Sequence, residues 1–102
     1  MQNHELDQET QTKIIRVINA LIPEADIYLF GSRATGQASA HSDIDIALDA
    51  GQRIDSLRVA KVRDMLAASN IVHAFDIVDM HAIGQELKKN IEDEGILWLK
   101  AS

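Results

Sequence analysis

The sequence predicts an α/β layer fold, a small three-stranded sheet flanked by helices. Three observations predict it. Segments with apolar residues at helical spacing alternate along the chain with short runs rich in Ile, Val, Tyr and Phe. The one stretch dense in breakers, residues 31–42, falls at the turn after a strand, so it does not read as a linker. At 102 residues the chain has room for one hydrophobic core. Residues 1–102 are therefore expected to form a single domain, with strand directions left open by pattern alone.

The elements follow in order. Residues 7–22 align Ile14, Ile15, Ile18, Leu21 and Ile22 along one stripe, with Asp7 as the N-cap and Pro23 as the stop. "ADIYLF" (25–30) reads as a buried strand running into a tight turn at Gly31, and a short helix follows the turn. "SDIDIAL" (42–48) alternates, with Ile44, Ile46 and Leu48 on one face and Asp43, Asp45 and Ala47 on the other. Residues 54–68 return to helical spacing through Leu57, Val62, Met65 and Leu66. A third strand is expected at 72–78, "VHAFDIV", and a last helix at 84–94 on Leu87 and Ile91, with "GILWLK" closing against the core. No internal repeat or low-complexity segment interrupts this order.

Composition narrows the function. Aromatic residues make up only 4% of the chain against 46% hydrophobic, so the core is aliphatic. The absence of cysteine excludes disulfides and thiolate metal sites, and is compatible with a reducing compartment. The opening "MQNHELDQET" is too polar and acidic for a signal or transit peptide, and no apolar run approaches the ~20 residues that span a bilayer. A cytoplasmic protein without a membrane segment is expected. Acidic residues outnumber basic ones 16 to 10, and no basic stripe interleaved with aromatics appears, which argues against direct nucleic-acid binding. A small polyanion held through metal ions and backbone N–H groups remains open to such a chain.

Asp43 and Asp45 are the first candidates for that chemistry. Two residues apart on a strand, their Cα atoms lie roughly 6.5–7 Å apart and their side chains share a face. Such a pair suits Mg²⁺, which takes one or two carboxylates together with substrate phosphates. An isolated Asp-x-Asp more often marks the wet face of a half-buried strand. Gly31 and Ser32 add a strand-to-helix turn where backbone can approach phosphate. Asp76, inside the apolar run "FDIVD", adds a carboxylate that is costly in a strand interior unless solvated, paired or metal-bound. If its strand neighbours that of Asp43 and Asp45, three like charges meet on one face, and a cation relieves the repulsion.

Other residues carry weaker signals. Arg33 reads either as a phosphate contact or as a solvated side chain after a turn. His41 reads as a surface residue, and His4, His73 and His81 show no mutual ligand spacing. Asp49 and Asp79 read as acidic strand ends, Trp98 as a core or partner-facing anchor, and "RIDSLRVAKVRD" as a solvated helix face.

The succession "GSRATG" (31–36), "SDIDIAL" (42–48) and "FDIVD" (75–79) resembles the minimal nucleotidyltransferase family of the DNA polymerase beta-like superfamily. The resemblance implies that family's fold, with a mixed sheet. It implies that Asp43, Asp45 and Asp76 hold two Mg²⁺ ions, with Mn²⁺ as a substitute, and that Asp76 orients or deprotonates an acceptor hydroxyl. Gly31 and Ser32 would bind the β- and γ-phosphates of ATP, with Arg33 and Ser42 completing the nucleotide site. Larger relatives carry extra helical domains for their acceptors, and no such region exists in these 102 residues. The family's minimal members pair with HEPN-domain ribonuclease toxins. The implied activity is transfer of AMP to a partner hydroxyl, tyrosine above all, by an antitoxin enzyme in a hetero-oligomer. Neutralisation of a toxin by binding alone, and transfer to a small-molecule hydroxyl, are the competing functions.

Overall fold

The computed structural model describes residues 7–39 and 42–101, so His4 and His41 lie outside the described residues. Helix α1 (Gln8–Leu21) begins after Asp7 and ends at Ile22, ahead of Pro23. Strand β1 (Asp26–Phe30) leads through Gly31 into the single-turn helix α2 (Ser32–Thr35). Strand β2 (Ile44–Asp49), helix α3 (Ser56–Ala67), strand β3 (Phe75–Asp79) and helix α4 (Gln85–Glu94) follow.

The sheet has four strands, not three, because Ile96–Leu99 pairs as β4. These four residues are too few to show a period, but they are all apolar and lie along the outer side of β1. That pairing satisfies backbone groups an uncovered edge would leave open. The spatial order is β3-β2-β1-β4. β1 runs antiparallel to both β2 and β4, whereas β3 is parallel to β2, connected through the crossover helix α3. The sheet is therefore mixed, as the resemblance implied.

Strand alternation divides the apolar residues between two faces. Ile27, Leu29, Ile44, Ile46, Leu48 and Ile77 meet Ile14, Ile18 and Ile22 of the first helical segment and Val59, Val62 and Leu66 of α3. The opposite face is thinner: Phe30, Ala47 and Met80 gather around Ile91 of α4, flanked by Tyr28 and Val78. Ile44, Ile46 and Leu48 are fully buried, so the alternation in β2 reads correctly from sequence. Truncating one of them to alanine removes about 2–5 kcal/mol of stability.

Helix α3 is phased differently from its sequence reading. Val59, Val62 and Leu66 form the buried stripe, while Leu57 and Met65 point outward, 76% and 49% exposed. The side chain of Asp55 accepts from Leu57 N at 2.9 Å, capping the helix and fixing its first turn with Leu57 outside. The polar face is not wholly solvated either: Arg58 pairs with Glu24, and Arg63 donates to Ile77 O at 2.7 Å. The third strand starts later than expected, leaving Val72 in the preceding loop and exposed. Among the described residues no helix is long and apolar enough to cross a membrane.

Candidate functional site

Strand register brings the sequence candidates to one end of the sheet. Asp45 lies directly beside Asp76 across the parallel β2–β3 pair, and beside Phe30 across the antiparallel β1–β2 pair. Because Ile44, Ile46 and Ile77 face the large core, Asp45 and Asp76 share the thinner face with Ala47 and Val78. Asp43 immediately precedes β2, so three carboxylates from two neighbouring segments meet near the end of β1. Asp43 and Asp76 are exposed, whereas Asp45 is half-buried.

Gly31 follows Phe30 and therefore sits over Asp45. Its backbone angles, φ 78° and ψ −156°, belong to a region that is essentially glycine's alone. A Cβ there would overlap Asp45 Oδ2 and come 3.2 Å from Asp45 Cγ. The turn can press against the carboxylate only because residue 31 has no side chain. Ala34 N and Thr35 N donate back to Gly31 O at 3.0 and 3.3 Å, coiling the chain into α2 with Ser32 at its start.

The electrostatics match a cluster of like charges. Burial, then the charges of Asp76 and Asp43, push the Asp45 carboxyl above its usual range, against a smaller opposing pull from Arg33. Among the described residues, no protein donor lies within hydrogen-bonding distance of the Asp43, Asp45 or Asp76 side chains, and no three acidic or imidazole groups close into a ready-made metal cage. The donor set nevertheless fits a hard divalent cation: oxygen ligands, uncommitted to protein donors, mutually repelling and partly open to water and phosphate.

Arg33 departs from the solvated alternative, since only 6% of it is exposed. Its Nε and Nη2 donate to Ser42 O at 3.1 and 2.8 Å, and Nη2 lies 3.4 Å from His73 Nδ1. Ser42 is half-buried, and its hydroxyl accepts from Ser39 N at 2.9 Å. Neither the burial of Arg33 nor the approach of His73 was legible from spacing, because 40 residues separate the two. The only hint lay in the sequence arrangement, with His73 three residues ahead of Asp76.

Asp49 and Asp79 mark the opposite end of the same strands. Both end their strands as expected, and Asp79 is also buried: Oδ2 accepts from Ile54 N at 2.7 Å and Oδ1 from His81 N at 2.9 Å. Asp49 accepts from Gly51 N at 2.9 Å and pairs with His81 Nε2 at 2.8 Å. Trp98 packs partly buried against the main core from β4.

The mixed sheet thus carries a Gly-Ser turn pressed onto an Asp-x-Asp strand, beside a third aspartate on the parallel neighbour. Residues 12–102 match the family described as Polymerase beta, Nucleotidyltransferase, and the chain belongs to that family. A protein adenylyltransferase MntA of Shewanella oneidensis is 32% identical over 95 residues, 91% of this chain and 68% of the relative. A toxin–antitoxin crystal structure with AMP-PNP superposes with a TM-score of 0.76 at 29% identity, covering 90% of this chain and 74% of the other. A tri-AMPylated Shewanella oneidensis HEPN toxin in complex with its MNT antitoxin gives 0.73 at 27% identity, covering 94% and 74%. The chain spans about two thirds of the length of the curated relatives it matches.

Proposed function

We propose that this chain is a minimal nucleotidyltransferase that moves AMP from ATP to a hydroxyl of a HEPN-domain toxin, a tyrosine above all, and so serves as its antitoxin. The observation that carries the reading is the register that sets Asp45 beside Asp76, with Asp43 preceding and Gly31 seated on Asp45. The relatives supply the acceptor class: adenylyltransferases and an AMPylated toxin complex. The exposure of Asp43 and Asp76 supports a macromolecular acceptor, since a partner surface can reach them directly.

In this reading Gly31 and Ser32 receive the β- and γ-phosphates at the start of α2, with Ser42 alongside. Asp43, Asp45 and Asp76 would hold the divalent cations, two Mg²⁺ ions in the proposed assignment. When bound, such cations neutralise phosphate charge and stabilise the entering and leaving oxygens of an in-line displacement. Asp76, exposed at the rim, orients the acceptor hydroxyl and accepts its proton. A new oxygen–phosphorus bond forms at the α-phosphorus as the bond to the bridging oxygen breaks, releasing pyrophosphate. A cytoplasmic setting and a hetero-oligomer with the toxin follow from the same assignment.

Incubation with Mg²⁺, α-labelled ATP and the cognate toxin is expected to label the toxin, and Asp43→Ala to abolish labelling. A cognate toxin that stays unlabelled yet neutralised, equally by wild type and Asp43→Ala, would overturn the transferase reading in favour of neutralisation by contact.

A further inference from the structure

Three chain segments carry the candidate site, and one side chain touches the lead-in to two of them from the third. Arg33 starts in the Gly-Ser turn. Its guanidinium donates twice to Ser42 O, the carbonyl of the peptide that joins Ser42 to Asp43. The same Nη2 reaches toward His73 Nδ1, three residues before Asp76. Next to this junction, Ile44 N donates to Ala74 O at 2.9 Å, closing the start of the β2–β3 ladder.

Arginine is rarely this buried unless its donors are used. Here two of them converge on one oxygen while the outer nitrogen continues to an imidazole. That pattern needs a planar fork of fixed geometry, and the single ammonium of lysine does not reproduce it. The clamp draws on three separate segments: the turn belongs to β1 and α2, Ser42 to the loop before β2, and His73 to the loop between α3 and β3.

We infer that Arg33 is a positioning residue, which clamps the Ser42–Asp43 peptide against the lead-in of β3 and thereby sets Asp43 and Asp45 relative to Asp76. The inference rests on the proposed metal–nucleotide site for the purpose of that spacing, and it reassigns Arg33 from phosphate contact to support of the carboxylates. Groups that orient metal ligands from behind are worth about 10–100-fold in metal affinity. Loss of the clamp should therefore appear in cation binding before any nucleotide is present.

The test measures Mn²⁺ binding to the full chain by loss of the free-ion electron paramagnetic resonance signal, alongside thermal melting and the KM for ATP and kcat of AMP transfer. Arg33→Gln is expected to weaken Mn²⁺ binding about 10-fold or more, and to lower kcat more than it raises KM. Arg33→Lys should recover part of that loss. His73→Leu, which removes a group outside the proposed nucleotide contacts, should weaken Mn²⁺ binding in the same direction by a smaller factor. Unchanged Mn²⁺ affinity in Arg33→Gln with a raised KM for ATP would make Arg33 a phosphate ligand and overturn the inference. Unchanged values in all three variants would overturn it too. If Arg33→Gln does not fold, Arg33→Lys and His73→Leu decide by the same criteria. Asp45→Asn separates the two levels: Mn²⁺ binding it fails to weaken removes the metal-site reading itself, and the clamp's purpose with it.

Discussion

The two ends of strand β2 carry the same residue type in opposite circumstances. At its C-terminal end, Asp49 and the neighbouring Asp79 accept hydrogen bonds from Gly51, Ile54 and His81, and Asp79 does so while buried. At its N-terminal end, Asp45 has Asp76 across the ladder and Asp43 two residues back, with no protein donor in reach among the described residues. One end is finished by the fold. The other carries like charges that the fold leaves without donors among the described residues. Their carboxyls shift accordingly: Asp45 upward through burial and like charge, Asp49 downward because the Gly51 N–H and His81 outweigh its burial. Polar groups that a fold buries are normally satisfied internally, as Asp79 is, whereas the carboxylates at the other end are exposed or half-buried and have no protein donor among the described residues.

The sharpest break of this comparison is Asp45→Asn. The substitution keeps the side chain's shape and removes the repelled charge. Activity should fall by roughly 10³-fold or more, the loss expected when several kcal/mol of transition-state stabilisation disappears. Thermal stability near neutral pH should rise, because the substitution removes a charge that burial and the neighbouring Asp76 and Asp43 disfavour. Differential scanning calorimetry beside an AMP-transfer assay checks both. A variant that loses stability would show that the repulsion is already relieved in the ligand-free chain.

Asp79→Ala probes the finished end and should do the reverse. It strips the acceptor from Ile54 N and His81 N, for a loss of about 2–3 kcal/mol in denaturant unfolding. Activity per folded molecule should change little, since Asp79 lies at the far end of the sheet from Asp45.

Gly31→Ala tests how closely the turn is fitted to the site. The positive φ alone costs roughly 1–3 kcal/mol, and the added methyl also meets the Asp45 carboxylate. A double-mutant cycle separates the two costs. In an Asp45→Ala background the steric part should vanish while the backbone part remains, giving a coupling between positions 31 and 45 that unfolding free energies report.

This contrast explains what sequence could and could not show. Ile44, Ile46 and Leu48 announce the buried face of β2 because a period of two survives in any sequence, and the same period puts Asp43 and Asp45 opposite them. The interior position of Asp76 within "FDIVD" points to a sheet neighbour, and the β2–β3 register supplies it. Asp49 and Asp79 looked like ordinary strand ends, because nothing local reveals that Ile54 N or His81 will arrive from elsewhere in the chain. The contacts of Arg33 are hidden for the same reason: its partners Ser42 and His73 are 9 and 40 residues away. Strand β4 was missed because four apolar residues carry no period, and only the free side of β1 turns them into a strand. Leu57 and Met65 were misplaced because the phase of α3 is set by the Asp55 cap and the packing of Val59, Val62 and Leu66, not by total hydrophobicity.

The smallest effect is also the one that tests both ends of β2 at once, through pH. Asp49 has a folded pKa below its usual 3.8, so the unfolded chain takes up this proton first as pH falls. Its contribution to stability is complete above that value and is lost as pH drops through the folded pKa. Asp45 has the opposite sign. Its folded pKa lies above 3.8, so the folded chain binds the proton more tightly, and stability declines as pH rises from 3.8 through the raised value. Denaturation midpoints measured from pH 2.5 to 7 should therefore show Asp49→Asn flattening the acid limb below 3.8, while Asp45→Asn flattens the decline above it. Both carboxyls are partly solvated, so each change is a small fraction of the total stability and is best read as a difference in slope. Parallel slopes in the two variants would mean that the two ends of the strand are electrostatically alike, and the division of β2 into a satisfied and an unsatisfied half would fail.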